Sequence, residues 1–196
     1  MTDREARFTA VVLAGGKNSR FGGRDKAFVS VEGVLMIKHV LDNLKKIFRN
    51  ILIITNTPEK YTGFTDPAFA SDIIQDAGPL GGIHSAMKNS GTPYIFVVSC
   101  DMPYLDTGII KDQLNFFRLL NNPDIMIPRI NSGIEPLHGI YRTDLAGELD
   151  RFLSVTDNYS IRAFLDEHEV AYFDPGDSPR VRKAFSNINR PDDIPA

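Results

Sequence analysis

The feature that most constrains this chain is an abrupt change, within residues 9–26, from an apolar run to a glycine-rich loop. The run from Ala10 to Leu13 is rich in β-branched residues, which predicts a buried strand. Two glycine pairs follow, Gly15-Gly16 and Gly22-Gly23, and glycine lets the backbone approach a ligand closely. The loop also carries four cations against a single anion: Lys17, Arg20, Arg24 and Lys26 against Asp25. Backbone amides and cations together suit the phosphates of a nucleoside triphosphate.

Two better-known phosphate loops do not fit this segment. The P-loop requires G-x-x-x-x-G-K-[S/T], and residues 15–26 do not contain that spacing. The dinucleotide fingerprint G-x-G-x-x-G is also absent. An ordinary glycine-rich turn with solvated charges therefore stays open as an alternative on the residues alone.

The composition is that of a globular protein and sets limits on its partners. The 196 residues are 42% hydrophobic and 24% charged, and we expect them to form one domain over residues 1–196. The net charge of −3 gives no reason to expect a nucleic acid or an anionic membrane as partner. The single cysteine, Cys100, excludes an internal disulfide. We find neither an apolar stretch long enough to span a bilayer nor a signal peptide, and so predict a cytoplasmic protein.

Strand-like and helix-like patterns alternate along the rest of the chain. We predict an extended piece at 27–31, strands at 51–54, 72–75, 94–99, 125–128, 133–141 and 170–173, and helices at 36–48, 83–89, 107–121, 145–153 and 161–168. This order predicts an α/β fold, a three-layer α/β/α sandwich with a mostly parallel, Rossmann-like sheet. Ligands in such sheets bind beyond the carboxyl ends of the strands, which is where the glycine loop falls.

An aspartate follows the most strand-like run, residues 94–99. This residue, Asp101, is a candidate Mg²⁺ ligand, because Mg²⁺ binds through one or two carboxylates together with substrate phosphates. The alternative is helix capping, for which Asp106 and Thr107 are better placed. Cys100 is expected to be a small buried residue, since no basic partner for a catalytic thiol is evident.

Three further features each allow two interpretations. His138 could be a general base or a structural histidine, and the residues alone do not decide. The turn Gly78-Pro79-Leu80-Gly81-Gly82 could be a stiff turn that approaches a ligand closely or a plain connection from strand to helix. Asn187 and Asn189 would point the same way on an extended segment and could meet one ligand, or Asn189 could cap a C-terminal helix.

Five motifs in order resemble the molybdenum cofactor guanylyltransferase (MobA) family, within the nucleotidyltransferase superfamily. The first is L-A-G-G-x-x-x-R-x-G-G-x-D-K over residues 13–26. The others are Gly78-Pro79-Leu80-Gly81-Gly82, Cys100-Asp101-Met102-Pro103, Glu135-Pro136-Leu137 and Asn187-Ile188-Asn189-Arg190-Pro191. The resemblance covers roughly residues 9–194. It implies the nucleotidyltransferase fold and the transfer of GMP from Mg²⁺-bound GTP to molybdopterin, with release of pyrophosphate.

The resemblance also implies roles for individual residues. Lys26, Arg20 and Asp101 would be catalytic, and Asp101 would hold the Mg²⁺ ion. The nucleotide would be bound by Leu13, Ala14, Gly15, Gly16, Lys26, Asp76, Gly78, Pro79, Leu80, Gly82 and Asp101. Molybdopterin would be bound by Asn187, Asn189 and Arg162.

One departure from the family pattern concerns the acceptor. The family often carries an arginine in the stretch that corresponds to residues 157–161, and here the nearest one, Arg162, is displaced. The resemblance further implies contacts with proteins that deliver molybdopterin or mature molybdoenzymes. The alternatives are a cytidylyl- or other nucleotidyltransferase with a different acceptor, and a nucleotide-binding module that performs no chemistry.

Overall fold

The structure is a computed structural model that describes residues 7–15, 25–130 and 133–194. Within these residues the strands are β1 Phe8–Leu13, β2 Ser30–Val31, β3 Val34–Leu35, β4 Asn50–Ile54, β5 Ala68–Ala70, β6 Tyr94–Ser99, β7 Ile125–Ile130, β8 Gly133–Ile134, β9 His138–Arg142 and β10 Val170–Phe173. The helices are α1 Met36–Leu44, α2 Gly78–Asn89, α3 Thr107–Leu119, α4 Ala146–Val155, α5 Ile161–Leu165 and α6 Pro179–Ala184. Short 3₁₀ turns include Lys26–Phe28, Pro58–Tyr61 and Pro191–Asp193.

The main sheet has the strand order β10-β7-β9-β6-β1-β4-β5, with β8 added to β7. Strand β9 is antiparallel to both of its neighbours, while the pairs that β1 forms with β4 and β6 are parallel. In those pairs Leu13 lies opposite Ile54 on one side and Ser99 on the other. The carboxyl ends of β4, β1 and β6 therefore lie side by side, with β1 in the middle.

Side chains alternate across β1 and divide the core into two layers. Ala10 and Val12 pack with α1, α3 and α6, whereas Val11 and Leu13 pack with α2, α4 and α5. Because both faces are covered, β1 and β6 are apolar along nearly their whole length, and each buried Val or Ile contributes about 1.5–3 kcal/mol. The predicted three-layer sandwich with a mostly parallel sheet is confirmed.

Several predicted elements differ from those observed. The strand predicted at 72–75 is wrong: the strand that pairs with β4 is β5, residues 68–70, and Ile73 is 55% exposed. The strand predicted at 133–141 is broken between β8 and β9, where Pro136 has no amide hydrogen to donate to a ladder. The extended piece predicted at 27–31 begins as a 3₁₀ turn and becomes strand only at Ser30.

Helix α2 begins at Gly78 rather than near Ile83, so the glycine-rich turn is its first part. Pro79 suits the start of a helix, where its missing amide hydrogen is not needed. Gly81 packs too closely for a side chain: a Cβ added there would lie 2.8 Å from the Cβ of Ala77. Gly81 and Gly82 thus allow close packing of the helix, although glycine has a low intrinsic helix propensity.

No helix among the described residues is both long and apolar enough to cross a membrane. The assignment of residues 1–196 to one domain stays a prediction.

Candidate active site

A cavity of about 680 Å³ opens at the edge where β1 and β4 end, against the start of α2. Seven residues that the sequence assigns to the nucleotide line it: Leu13, Ala14, Gly15, Asp76, Gly78, Pro79 and Gly82. Gly82 lies against Leu13, where an added Cβ would be 3.0 Å from a methyl carbon of that leucine. Asp76 and Gly78 both have positive φ angles, 60° and 59°, at the bend that leads into α2.

Leu80 is not at the cavity surface. It is fully buried in the core between α2 and the sheet, because its side chain lies on the inner face of the helix. Its side chain therefore does not line the cavity, and the assignment of Leu80 to nucleotide contact stays a prediction. Gly16 and Arg20 lie outside the described residues.

Beside the cavity, three side chains from distant parts of the chain meet. The ammonium of Lys26 donates to Oδ2 of Asp101 at 3.2 Å and to Oδ1 of Asn189 at 2.9 Å. The side chains of Lys26 and Asp101 are only 19% and 16% exposed, so water screens their charges less than on an open surface. This Lys26–Asp101–Asn189 cluster borders the cavity, since neighbouring Asp25 and Ser99 line it.

Local structure positions each member of the cluster. Asp25 accepts from the amide of Ala27 at 3.2 Å and so caps the 3₁₀ turn that begins at Lys26. Asp101 follows β6, the strand next to β1. Asp106, not Asp101, caps α3, accepting from the amides of Gly108 and Ile109 at 2.8 and 3.1 Å. The capping alternative for Asp101 is thereby excluded.

The two asparagines near the C-terminal end differ in their surroundings. Asn187 is exposed, Ile188 is buried and Asn189 is half-buried, which is the alternation of an extended segment. Asn189 does not act as a helix cap, and its side chain meets Lys26. Among the described residues, Asn187 and Arg162 form no hydrogen bond with the cluster, and Arg162 is exposed on α5.

His138 is a structural residue. It is 1% exposed, and its Nδ1 lies 3.0 Å from Oε1 of Gln113 while Gln113 donates to its carbonyl oxygen at 3.0 Å. The ring packs against Phe96 and Phe185. Burial lowers the pKa of His138 to about 4. The general-base interpretation has no support in this geometry.

Two carboxylates lie close enough to influence each other at this edge. Burial raises the pKa of Glu135, and the charge of Asp101 raises it further. No three His, Cys, Asp or Glu side chains in the described parts of the chain form a ready-made metal cluster. Mg²⁺ does not need one, because it binds through one or two carboxylates, substrate phosphates and water. The donors present therefore fit a Mg²⁺ ion that arrives with a nucleotide.

Sequence reasoning overlooked two polar pairs in the cavity. Asn56 donates to Oδ2 of Asp72 at 2.9 Å, and the Asp72 amide donates back to Asn56 Oδ1 at 2.9 Å. Burial raises the pKa of Asp72. Lys60 and Asp25 also line the cavity, and the ammonium of Lys60 lies 3.8 Å from Oδ2 of Asp25. Asn56 and Asp72 each lie two residues past the end of a strand of the sheet, and this position could have identified them as candidate ligand-binding residues.

Comparison with known proteins places these features in a family. Residues 10–171 match the family described as MobA-like NTP transferase domain. The chain is 34% identical over 145 residues to the molybdenum cofactor guanylyltransferase of Desulfosudis oleivorans, across 74% of this chain and 70% of that protein. It is 32% identical over 197 residues to the protein of the same name from Syntrophotalea carbinolica, across 95% of this chain and 88% of that one.

Among solved structures, the fold matches molybdopterin-guanine dinucleotide biosynthesis protein A from Archaeoglobus fulgidus. The TM-score is 0.77 at 25% sequence identity, over 95% of this chain and 94% of that one.

Proposed function

We infer that this protein, which belongs to the MobA-like NTP transferase family, transfers GMP from GTP to molybdopterin. The observation that carries this function is the meeting of Lys26, Asp101 and Asn189 beside a cavity of nucleotide size. The guanylyltransferases named above are similar over most of the chain, which supports the same substrates here.

In the reaction, an oxygen of the terminal phosphate of molybdopterin attacks the α-phosphorus of GTP. A new phosphorus–oxygen bond forms as the bond to the bridging oxygen breaks, and pyrophosphate leaves. The attacking phosphate is already ionised, so no general base is needed, which agrees with the structural role of His138. Catalysis then rests on positioning and on neutralisation of charge.

Lys26 is the described cation best placed for that neutralisation, because Asp101 and Asn189 hold its ammonium at the cavity's edge. We propose Arg20 and the glycine-loop amides as further donors. Asp101, with Glu135 nearby, would hold Mg²⁺, which when bound would offset the negative charge of the phosphates.

The remaining site residues are proposals of the same kind. Leu13, Ala14, Gly15, Gly16, Asp76, Gly78, Pro79 and Gly82 would contact the nucleotide, to which we add Asp72 and Asn56. Asn187, Asn189 and Arg162 would face molybdopterin. Contacts with delivery or maturation proteins, and a cytoplasmic location, stay predictions.

Thermal unfolding with GTP, CTP, ATP or UTP, each with and without Mg²⁺, tests the nucleotide. A ligand at 100 times its Kd adds about 2.7 kcal/mol, which for a domain of this size raises Tm by about 5–10 °C. We expect that rise for GTP with Mg²⁺, followed by pyrophosphate release only when molybdopterin is added. A preference for CTP would assign the protein a different nucleotide, and binding of GTP without release would leave a nucleotide-binding module.

A further inference from the structure

The segment of residues 187–194 contacts the site through the backbone and side chain of Ile188. The side chain of Ile188 is buried with Val31 and Met36, and its amide donates to the carbonyl oxygen of Asp101 at 2.9 Å. These contacts place the segment beside the aspartate that follows β6. They do not by themselves fix the direction of the next side chain, Asn189.

A single carboxylate oxygen holds the backbone at that next position. Oδ2 of Asp193 accepts from the amides of Asn189 and Arg190, both at 2.8 Å. The amide of Asp193 donates in return to the carbonyl oxygen of Arg190 at 3.0 Å. Three hydrogen bonds thus close residues 189–193 into a compact turn, and two of them are made by one ionisable side chain.

The carboxylate of Asp193 forms one half of a capping box. Arg190 occupies the N-cap position and Asp193 is the third residue of the turn, from which an acidic side chain can reach back to the amide of the N-cap residue. Here the carboxylate accepts from that amide and also from the amide of Asn189, the residue before it. A charged acceptor makes shorter and stronger bonds to amides than a neutral one.

We propose that Asp193 is a positioning residue for nucleotidyl transfer, a role that rests on the proposed function. Its carboxylate fixes the backbone of Asn189, and the Asn189 amide oxygen in turn accepts from Lys26 at 2.9 Å. The chain of contacts runs from an exposed carboxylate, through one backbone amide and one side chain, to the cation at the cavity. Asp193 itself touches no substrate.

The adjacent Asp192 provides a matched control. It is exposed, carries the same charge in the same turn, and its side chain forms no hydrogen bond or ion pair with another described residue. Asp192→Ala and Asp193→Ala therefore remove the same charge from neighbouring positions. They differ only in the bonds to Asn189 and Arg190.

We expect Asp193→Ala to lower kcat about tenfold with a change in the KM for GTP below about twofold, because small misplacement of catalytic groups costs rate. Asp192→Ala should leave both constants unchanged. Asp193→Glu, which keeps the carboxylate, should recover most of the rate, and Asp193→Asn should fall between the two. Equal kcat for the two alanine variants, or a change in Tm alone, would overturn the proposal.

A second measurement does not depend on the assigned reaction. In protein with ¹⁵N-labelled asparagine, the side-chain amide signal of Asn189, assigned with Asn189→Ala, should shift in Asp193→Ala and not in Asp192→Ala. If the wild type transfers no GMP and the signal still shifts, the proposed function fails while the positioning contact stands. If the signal does not shift, the positioning role is wrong whatever the wild type catalyses.

Discussion

At the scale of single residues, buried His138 predicts how stability depends on pH. In the unfolded chain this histidine takes up a proton near its ordinary pKa of 6.5, whereas in the folded protein the pKa is about 4. As the pH falls below 6.5, protonation therefore favours the unfolded chain. This one group should lower the free energy of unfolding by about 2 kcal/mol between pH 7 and pH 5.

Urea unfolding of the wild type and His138→Gln at both pH values checks this prediction. Glutamine loses the ring contacts with Phe96 and Phe185, so the variant should be less stable at pH 7. It should also lose about 2 kcal/mol less than the wild type when the pH is lowered to 5. An equal loss in both proteins would contradict the assignment of this pH dependence to His138.

Residues at strand ends were predictable, and their mutual contacts were not. Asp101 and Lys26 follow from a buried strand and a glycine loop that must share one edge of the sheet. The contact of Asn189 with Lys26 did not follow, because 163 positions separate the two residues and no periodic pattern links them. Leu80 was assigned to the nucleotide within a motif, although its apolar side chain fits the core.

At the scale of elements, the close packing of α2 predicts the effect of a single methyl group. A Cβ at position 81 would lie 3.0 Å from the backbone oxygen of Ile74, which cannot move aside as a flexible side chain could. Gly81→Ala should lower the free energy of unfolding by about 1–3 kcal/mol. Because the first turn of α2 lines the cavity, the stabilisation by GTP with Mg²⁺ should also decrease.

Gly147→Ala is the matched control for this change. Gly147 also lies near the start of a helix, α4, and a Cβ there would meet no atom within 4 Å. That variant should unfold at the same or a slightly higher urea concentration, since alanine favours helix by up to about 1 kcal/mol. Equal stability of the two variants would show that α2 tolerates a wider spacing than the structure has.

Two strands with a clear pattern were predicted with their bounds, whereas helix ends and ambiguous segments were not: α1 ends at Leu44 and α5 at Leu165, before the predicted ends at 48 and 168. Strands β6 and β10 begin and end where the sequence indicates. The apolar pair Ile73 and Ile74 also resembled a strand, but the hydrogen bonds between Asn56 and Asp72 hold that segment at the cavity instead. The local pattern of apolar residues carries no information on such tertiary hydrogen bonds. The glycines at the start of α2 were taken as a turn before the helix, because glycine has a low helix propensity.

At the scale of the whole molecule, the contact between Lys26 and Asn189 predicts coupled effects on catalysis. Lys26→Ala should lower kcat about 10²- to 10³-fold, as removal of a preorganised donor does. Asn189→Ala should lower it less, and the double variant should be little slower than Lys26→Ala alone. Residues in contact commonly couple by about 0.5–3 kcal/mol, because the second substitution removes a partner already lost.

The rate of pyrophosphate release in the four proteins of this cycle measures the coupling. Lys38→Ala combined with Asn189→Ala serves as the comparison, since Lys38 lies on α1 and bonds only to exposed Asp42 among the described residues. The factors by which Lys38→Ala and Asn189→Ala each change the rate should multiply in that double variant. If the factors for Lys26→Ala and Asn189→Ala also multiply, the two residues act independently.

The distance along the chain between these partners has a consequence for protein synthesis. The glycine loop and β1 are made early, and a ribosome-bound chain begins to fold from its amino-terminal end. The bond between Lys26 and Asn189 cannot form until translation has passed residue 189, however complete the sheet already is. A nascent or prematurely terminated chain that lacks residue 189 should thus turn over GTP at the reduced rate expected of Asn189→Ala, and full activity would come only after that residue has been made.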